Sequence, residues 1–325
     1  MKEEIVRRAL KAGILLTPGL LETLDEKKLE EMIKEAKQKD KAVLTEREKP
    51  SKSKLIIKVK RVVPKEKLKP EDFTKYYNNK YEGIKKLLLK KLDAVSINKL
   101  RESYDEISVI GMVREPTSRG FVLEDPTGEI EVISNKEPEA DDVIGVKGTT
   151  REGKLMEREI ILPDIPLDYK SKKIRNLTLL LTTSLTDKAR PLIQTTNFTL
   201  IPKLEDETLN EKEKEQMITE FTNPTWIIIS GPEDEMNILV YRPEEEIEQK
   251  QAIDYLRKRH LSPKRNKVSG PDDYFFIGQV PDILWLISPK KFLENYKGVT
   301  IISFEAPDAA RVNLGTREVE FKQVL

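Results

Sequence analysis

The apolar positions of this chain follow three main spacings, and each spacing marks a different kind of element. Over residues 1–45 the period is helical: Ile5, Val6, Ala9 and Leu10 share one face, Leu20, Leu21 and Leu24 a second, and Leu29, Met32, Ile33 and Ala36 a third. Thr17-Pro18 supplies a cap and a first-turn proline, and Asp25 caps the next helix. The stretch 46–54, rich in Lys, Glu, Ser and Pro, reads as an exposed linker. Residues 54–63 (KLIIKVKRVV) read as a strand. From Lys69-Pro70 a helix runs to about Leu92, with Phe73, Tyr77, Tyr81, Ile84, Leu87 and Leu88 on its core face.

The period then shortens to two. EISVIGMV (106–113), GFVLED (120–125), GEIEVI (128–133), DVIGVKGT (142–149) and KLMEREII (154–161) are five β-branched segments separated by turn chemistry. Asp125-Pro126-Thr127-Gly128 is a tight connection in which Gly128 is expected at positive φ. Gly111, Gly145 and Gly148 lie inside strands, where small barrels coil. Five strands of this length describe an OB-fold barrel, and SH3-like barrels share the spacing. From about residue 171, continuous apolar runs alternate with helical stretches: 175–183, 225–230, 282–288 and 298–304 as strands, 244–260 as a helix. That is an α/β layer pattern. The expected organisation is α+β and multidomain: a helical module (1–45), a linker with strand and long helix (46–103), a barrel (104–166) and an α/β domain (167–325).

Composition narrows the chemistry. The 325 residues include no cysteine and one histidine, His260, which excludes disulfides, thiol nucleophiles and cysteine-ligated metals. No run approaches the ~20 apolar residues of a membrane span, and the N-terminus lacks a signal-peptide pattern, so a cytoplasmic protein is expected. Charged residues make up 35% of the chain, a Lys/Glu-rich mix typical of thermophile surfaces. The 58 basic and 57 acidic residues nearly cancel, which argues against a protein that lives by non-specific phosphate binding. The densest basic run, Arg257-Lys258-Arg259-His260 with Lys264, Arg265 and Lys267, is the candidate nucleic-acid contact; a solvated loop is the bland reading. His260 at a helix end suits the dipole and solvent. No P-loop, GxGxxG or GxSxG occurs.

The order of these elements resembles the small subunit of archaeal family D DNA polymerase, a B-subunit of replicative polymerases. The segments EISVIGMV, VLEDPTGEIEVI and DDVIGVKG are similar to that family's barrel, and ILPDIP (161–166) to its exit into the last domain. ALKAGILLTPGLLETL resembles the first helices, and VPDILW (280–285) with NYKGVTIIS (295–303) the segments flanking the last metal motif. The resemblance implies a shortened calcineurin-like phosphoesterase domain, whose chemistry takes two metals held by Asp, Asn and His. At the implied motif positions this chain carries Thr183 and Ser184, then Pro232, Glu233 and Asp234, then Ser288 and Lys290. A carboxylate-only Mg²⁺ site on Glu233 and Asp234 lacks converging partners.

The expectation is therefore a non-catalytic, cofactor-free accessory subunit that scaffolds a replicative DNA polymerase through its barrel and α/β domain. The catalytic subunit is the implied partner, a primase or helicase is a further candidate, and DNA is reached weakly or through the partner. The alternative is an OB-fold binder of single strands, for which the barrel offers Phe121 but also Glu124, Asp125, Glu129 and Glu131.

Overall fold

In a computed structural model of the protein, the alternating segments after residue 100 close on themselves. Residues 6–7, 9–10, 15–16, 43–44, 56–62, 67–202, 217–219, 221–231, 234–261 and 270–325 are described. The chain is α+β, with many strands and few helices, and divides into two compact units, Met1–Lys54 and Leu55–Leu325.

Most of the three helices expected in the first unit lie outside the described residues. Within it, positions 6–7 and 9–10 are helical, and β1 (Leu15–Leu16) pairs in parallel with β2 (Val43–Leu44), a pairing the helical reading did not foresee.

The second unit opens with β3 (Ile56–Arg61) and α1 (Pro70–Leu88). Pro70 presets the first helical turn, and the Asp72 carboxylate accepts a hydrogen bond from the Lys69 amide at 2.8 Å. Its buried face is rotated from the expected one. Tyr76, Lys80, Tyr81, Ile84 and Leu88 are buried, whereas Phe73 remains 41% exposed. The physical reason is that α1 serves two surfaces: Tyr81, Ile84 and Leu88 pack on the barrel, while Tyr76 faces Asp273.

The barrel comprises β4 (Ser103–Thr117), β5 (Gly120–Asp125), β6 (Gly128–Ile133), β7 (Val143–Arg151) and β8 (Lys154–Ile161). They close in the order β4-β5-β6-β8-β7, antiparallel except for β6 with β8. Alternate residues fill the interior, including Val109, Phe121, Leu123, Val132 and Val146. Gly148 sits at the register shift between β7 and β8, where a Cβ would lie 2.0 Å from the Met156 carbonyl oxygen. Gly128 does not take the expected positive φ. The turn is closed instead by the Asp125 carboxylate, which accepts from the Thr127 amide at 2.7 Å and the Gly128 amide at 3.1 Å.

The remaining strands form two sheets. The smaller orders as β11-β10-β9-β17-β18, from β9 (Thr178–Thr182), β10 (Phe198–Leu200), β11 (Met217–Ile218), β17 (Asp308–Asn313) and β18 (Val319–Gln323). The larger orders as β15-β16-β14-β13-β12-β3. It is built from β12 (Thr225–Ser230), β13 (Glu235–Tyr241), β14 (Ile283–Leu286), β15 (Phe292–Tyr296) and β16 (Val299–Ser303), with β3 as one edge. Val59 of β3 pairs with Ile227 of β12, so the strand before α1 belongs to this sheet.

The inner faces of the two sheets share one core, centred on Trp285 stacked on Phe304 with ring centroids 5.5 Å apart. The outer face of the larger sheet buries Leu239, Leu284 and Ile301 against α3 (Gln249–Lys258). The outer face of the smaller sheet buries Leu180 and Ala309 against α2 (Arg190–Gln194). Both faces of the central strands are covered, which is why TWIIIS and DILWLIS read as unbroken apolar runs.

Candidate functional site

Strands β13, β14 and β16 run parallel, so their C-terminal ends meet at one end of the larger sheet. The residues just beyond those ends are Arg242, then Ser288 to Lys290, then Glu305. The smaller sheet delivers Thr183 and Ser184 to the same end from β9, where the Ala306 amide donates to Thr183 Oγ1 at 2.9 Å. Lys290 Nζ lies 2.5 Å from Glu248 Oε1, and Arg242 Nη1 lies 3.2 Å from Glu305 Oε2. Ser303 Oγ donates to the Lys290 carbonyl at 2.8 Å. Hydrogen bonding to Glu248 raises the Lys290 pKa, and the same contact lowers that of Glu248. The hydroxyls of Ser184 and Ser288 are buried there without a partner among the described residues.

Of the positions implied by the resemblance, Thr183, Ser184, Ser288 and Lys290 therefore come together. Asp234 does not. It belongs to the hairpin joining β12 to β13, in which the Gly231 amide bonds the Asp234 carbonyl and Ser230 pairs with Glu235. That turn lies level with Asp282, whose carboxylate accepts from the Asn237 amide at 2.8 Å. Asp282 and Ser288 bracket β14, about 20 Å apart along an extended strand, so this turn is at the far end of the sheet. Pro232 and Glu233 lie outside the described residues.

The donor set at the assembled end does not fit a pair of metal ions. Thr183, Ser184 and Ser288 offer neutral hydroxyls and Lys290 a cation, while the nearby carboxylates of Glu248 and Glu305 are each engaged by a basic side chain. Among the described residues, no group of three His, Cys, Asp or Glu side chains is placed to hold a metal.

The basic run is not the solvated patch its sequence describes. Arg259 is 3% exposed, caps α3 in the left-handed conformation, and donates to the carbonyls of Ile277 (2.8 Å) and Gly278 (2.9 Å). Lys258 binds Asp142 at 3.0 Å and also contacts Glu139, both in the barrel's β6–β7 connection. Burial opposes its charge, but the Asp142 and Glu139 carboxylates outweigh burial and raise its pKa. Arg257 is exposed and bonded to Asp254 at 3.1 Å. Lys264, Arg265 and Lys267 lie outside the described residues. His260 is likewise 2% exposed rather than solvated, and its Nε2 lies 3.1 Å from Asp273. Lys258 thus ties the sheet domain to the barrel, while Arg259 is engaged with carbonyls inside the sheet domain.

The barrel surface is also occupied. Lys154 pairs with Glu131 at 2.7 Å, Lys136 with Glu157 at 2.9 Å, Lys147 with Glu159 at 3.4 Å, and Arg114 with Glu129. Phe121 is 1% exposed and points into the barrel core, so it cannot stack a base.

Sequence reasoning missed the junction itself. Tyr81 donates to the Ile110 carbonyl, Lys91 to that of Leu162, and the Asp164 amide to the Arg257 carbonyl. Helix α1, the barrel and α3 therefore interlock through contacts between segments distant in sequence. No helix among the described residues is long and apolar enough to cross a membrane.

The class this geometry defines is a closed five-stranded barrel joined to a two-sheet domain flanked by helices. Over 117 residues, 33% of this chain, the sequence is 30% identical to the DNA polymerase II small subunit of Archaeoglobus fulgidus. The match covers 24% of that protein, so the chain is similar to about a quarter of its length. No protein-family model matches the chain.

Proposed function

We propose that this protein is a non-catalytic accessory subunit of a replicative DNA polymerase, acting as a scaffold through its barrel and sheet domain. The barrel is an OB-fold in this reading: its closure order follows the OB pattern, first strand to second to third, then fifth, then fourth. The sheet domain is a shortened relative of the calcineurin-like phosphoesterases, with the same two-sheet core and helices outside. The similarity to a DNA polymerase small subunit supplies the class of partner. The observation that carries the non-catalytic reading is the chemistry of the assembled strand ends. Two-metal hydrolysis needs several anionic or imidazole ligands around a shared site. Here the strand ends hold hydroxyls and the ion pairs Lys290–Glu248 and Arg242–Glu305.

Direct single-strand binding is the weaker reading because the barrel's basic side chains face acidic partners and its Phe121 is buried. Both readings meet in one experiment. Purified protein is mixed with each replicative polymerase of its source organism, and DNA affinity is measured on the protein alone. Co-elution with one polymerase, with no degradation of DNA in Mg²⁺ or Mn²⁺, is expected. Failure to co-elute with any, together with nanomolar single-strand binding at about 150 mM salt, would replace the scaffold by the DNA binder.

A further inference from the structure

The segment that leaves the barrel for the sheet domain, residues 162–176, is fastened on its inner side and bare on its outer side. Ile165 is 1% exposed and packs in the core beneath α3. The Asp164 amide donates to the Arg257 carbonyl at 2.8 Å, and the Tyr169 amide closes a turn on the Pro166 carbonyl at 3.2 Å. Asp282 accepts from the Tyr169 hydroxyl at 2.8 Å and from the Lys172 amide at 2.6 Å. Arg317 donates to Ser171 Oγ at 2.9 Å, and the Ile174 amide to the Leu314 carbonyl at 3.1 Å. A surface segment tied this often has already lost its conformational freedom, so a partner meeting it has little left to order.

The outer side carries an apolar knob among cations. Leu167, in the turn, is 92% exposed, against 60% for Leu325, the next most exposed large apolar side chain among the described residues. A single exposed leucine is ordinary, but this one stands between two basic groups. On one side Lys297 Nζ lies 2.6 Å from the Asp164 carboxylate, and Lys91 donates to the Leu162 carbonyl at 3.1 Å. Burial lowers the Lys91 pKa; Asp164 opposes this, and Lys297 and Arg259 add to the lowering. On the other side Lys170, Lys172, Lys173 and Arg175 are exposed, and among the described residues their side chains make no hydrogen bond or ion pair. Over residues 167–176 these four cations face one carboxylate, Asp168, in a chain whose net charge is only +1.

These features discriminate between occupants. Nucleic acid would use the cations but not Leu167, and the nearby rings of Tyr169 and Tyr296 are half-buried with their hydroxyls on Asp282 and Asp164, so neither is free to stack a base. A second copy meeting this face with the same face would set like charges together. An acidic protein surface with an apolar recess uses both features, with Leu167 in the recess and the cations on its rim. We propose that Leu167 and its basic collar are the surface that docks an acid-rimmed apolar recess on the catalytic subunit. The inference rests on the polymerase reading and adds to it the face that meets the partner.

The test uses the full chain and the replicative polymerase that co-elutes with it, with affinities measured by titration. Leu167→Asp is expected to weaken binding by at least about tenfold. Lys172→Glu/Lys173→Glu should weaken it by about fivefold, with a loss that shrinks as salt is raised. Lys75→Glu/Lys86→Glu, the same change of charge at exposed positions of α1, should leave it unchanged. Wild-type affinity in Leu167→Asp overturns this proposal and leaves the polymerase partnership standing. Equal loss in the α1 variant also overturns it, in favour of diffuse surface charge. If the wild type co-elutes with no polymerase, the partnership fails and the proposal with it. A fluorescein-labelled single-stranded oligonucleotide that Lys172→Glu/Lys173→Glu releases, while that variant keeps its polymerase affinity, would assign the cations to nucleic acid instead.

Discussion

Lys258, on the last turn of α3, reaches Asp142 at the entrance to barrel strand β7, with Nζ 3.0 Å from the carboxylate. The two side chains are 17% and 11% exposed, so the pair is largely withdrawn from water. Burial raises the Asp142 pKa, and the Lys258 ammonium opposes that rise by favouring the charged carboxylate. Asp142 also accepts a hydrogen bond from the Glu139 amide at 3.1 Å, which holds the connection in place.

Removing one partner leaves the other buried and uncompensated. Lys258→Met is therefore expected to destabilise the chain by about 3 kcal/mol. Lys258→Met/Asp142→Asn should cost clearly less than the sum of the single changes. A double-mutant cycle by denaturant unfolding checks this, and additive losses would show that the pair is not coupled.

That pair also shows where sequence reading stops. The five barrel strands were legible because β-branched residues alternate between turns, and the observed ranges differ from the expected ones mainly at the ends of β4 and β7. Strand β13 was not seen, since MNILVY is short and follows a turn that resembled a metal motif. Strands β17 and β18 carry weak alternation and were missed entirely. Arg257-Lys258-Arg259 reads as solvated because a charge run usually is. The withdrawal of Lys258 and Arg259 from water depends on Glu139, Asp142, Ile277 and Gly278, which are distant or unremarkable in sequence. The structure brings Thr183, Ser184, Ser288 and Lys290 to one end of the sheets, and Arg242 reaches that end through β13, a strand the sequence pattern does not announce.

The shared core of the two sheets makes a second prediction. Trp285 is fully buried, and its indole N–H has no partner among the described residues. Trp285→Ala removes the stack on Phe304 and opens a cavity, at an expected cost of about 3–5 kcal/mol. Trp285→Phe keeps an aromatic ring and deletes the unsatisfied donor, so it should cost less than half as much. Calorimetric unfolding of both variants separates the outcomes; equal losses would mean the indole N–H is satisfied in solution.

His260 makes the last prediction, one of pH. Its ring is buried beside Asp273, with Lys80 of α1 and Asp142 of the barrel connection also facing it and Phe275 packed at 6.5 Å between ring centroids. Burial is the largest influence and lowers the imidazole pKa; Asp273 opposes it, and Lys80 adds to the lowering. In the unfolded chain the group titrates near its ordinary value of about 6.5. Below that pH the unfolded state holds more protons than the folded one, so stability rises with pH across this window. The contribution is fully present above about pH 6.5 and is lost as the pH falls, by at most about 1.4 kcal/mol per pH unit. His260→Gln keeps a donor toward Asp273 and cannot titrate. Denaturant midpoints at pH 7.5, 6.5 and 5.5 should show the wild type losing stability relative to this variant as the solution is acidified. Parallel curves would mean that His260 has the same proton affinity folded and unfolded. A relative gain of the wild type on acidification would mean that Asp273 outweighs burial and holds the imidazole charged.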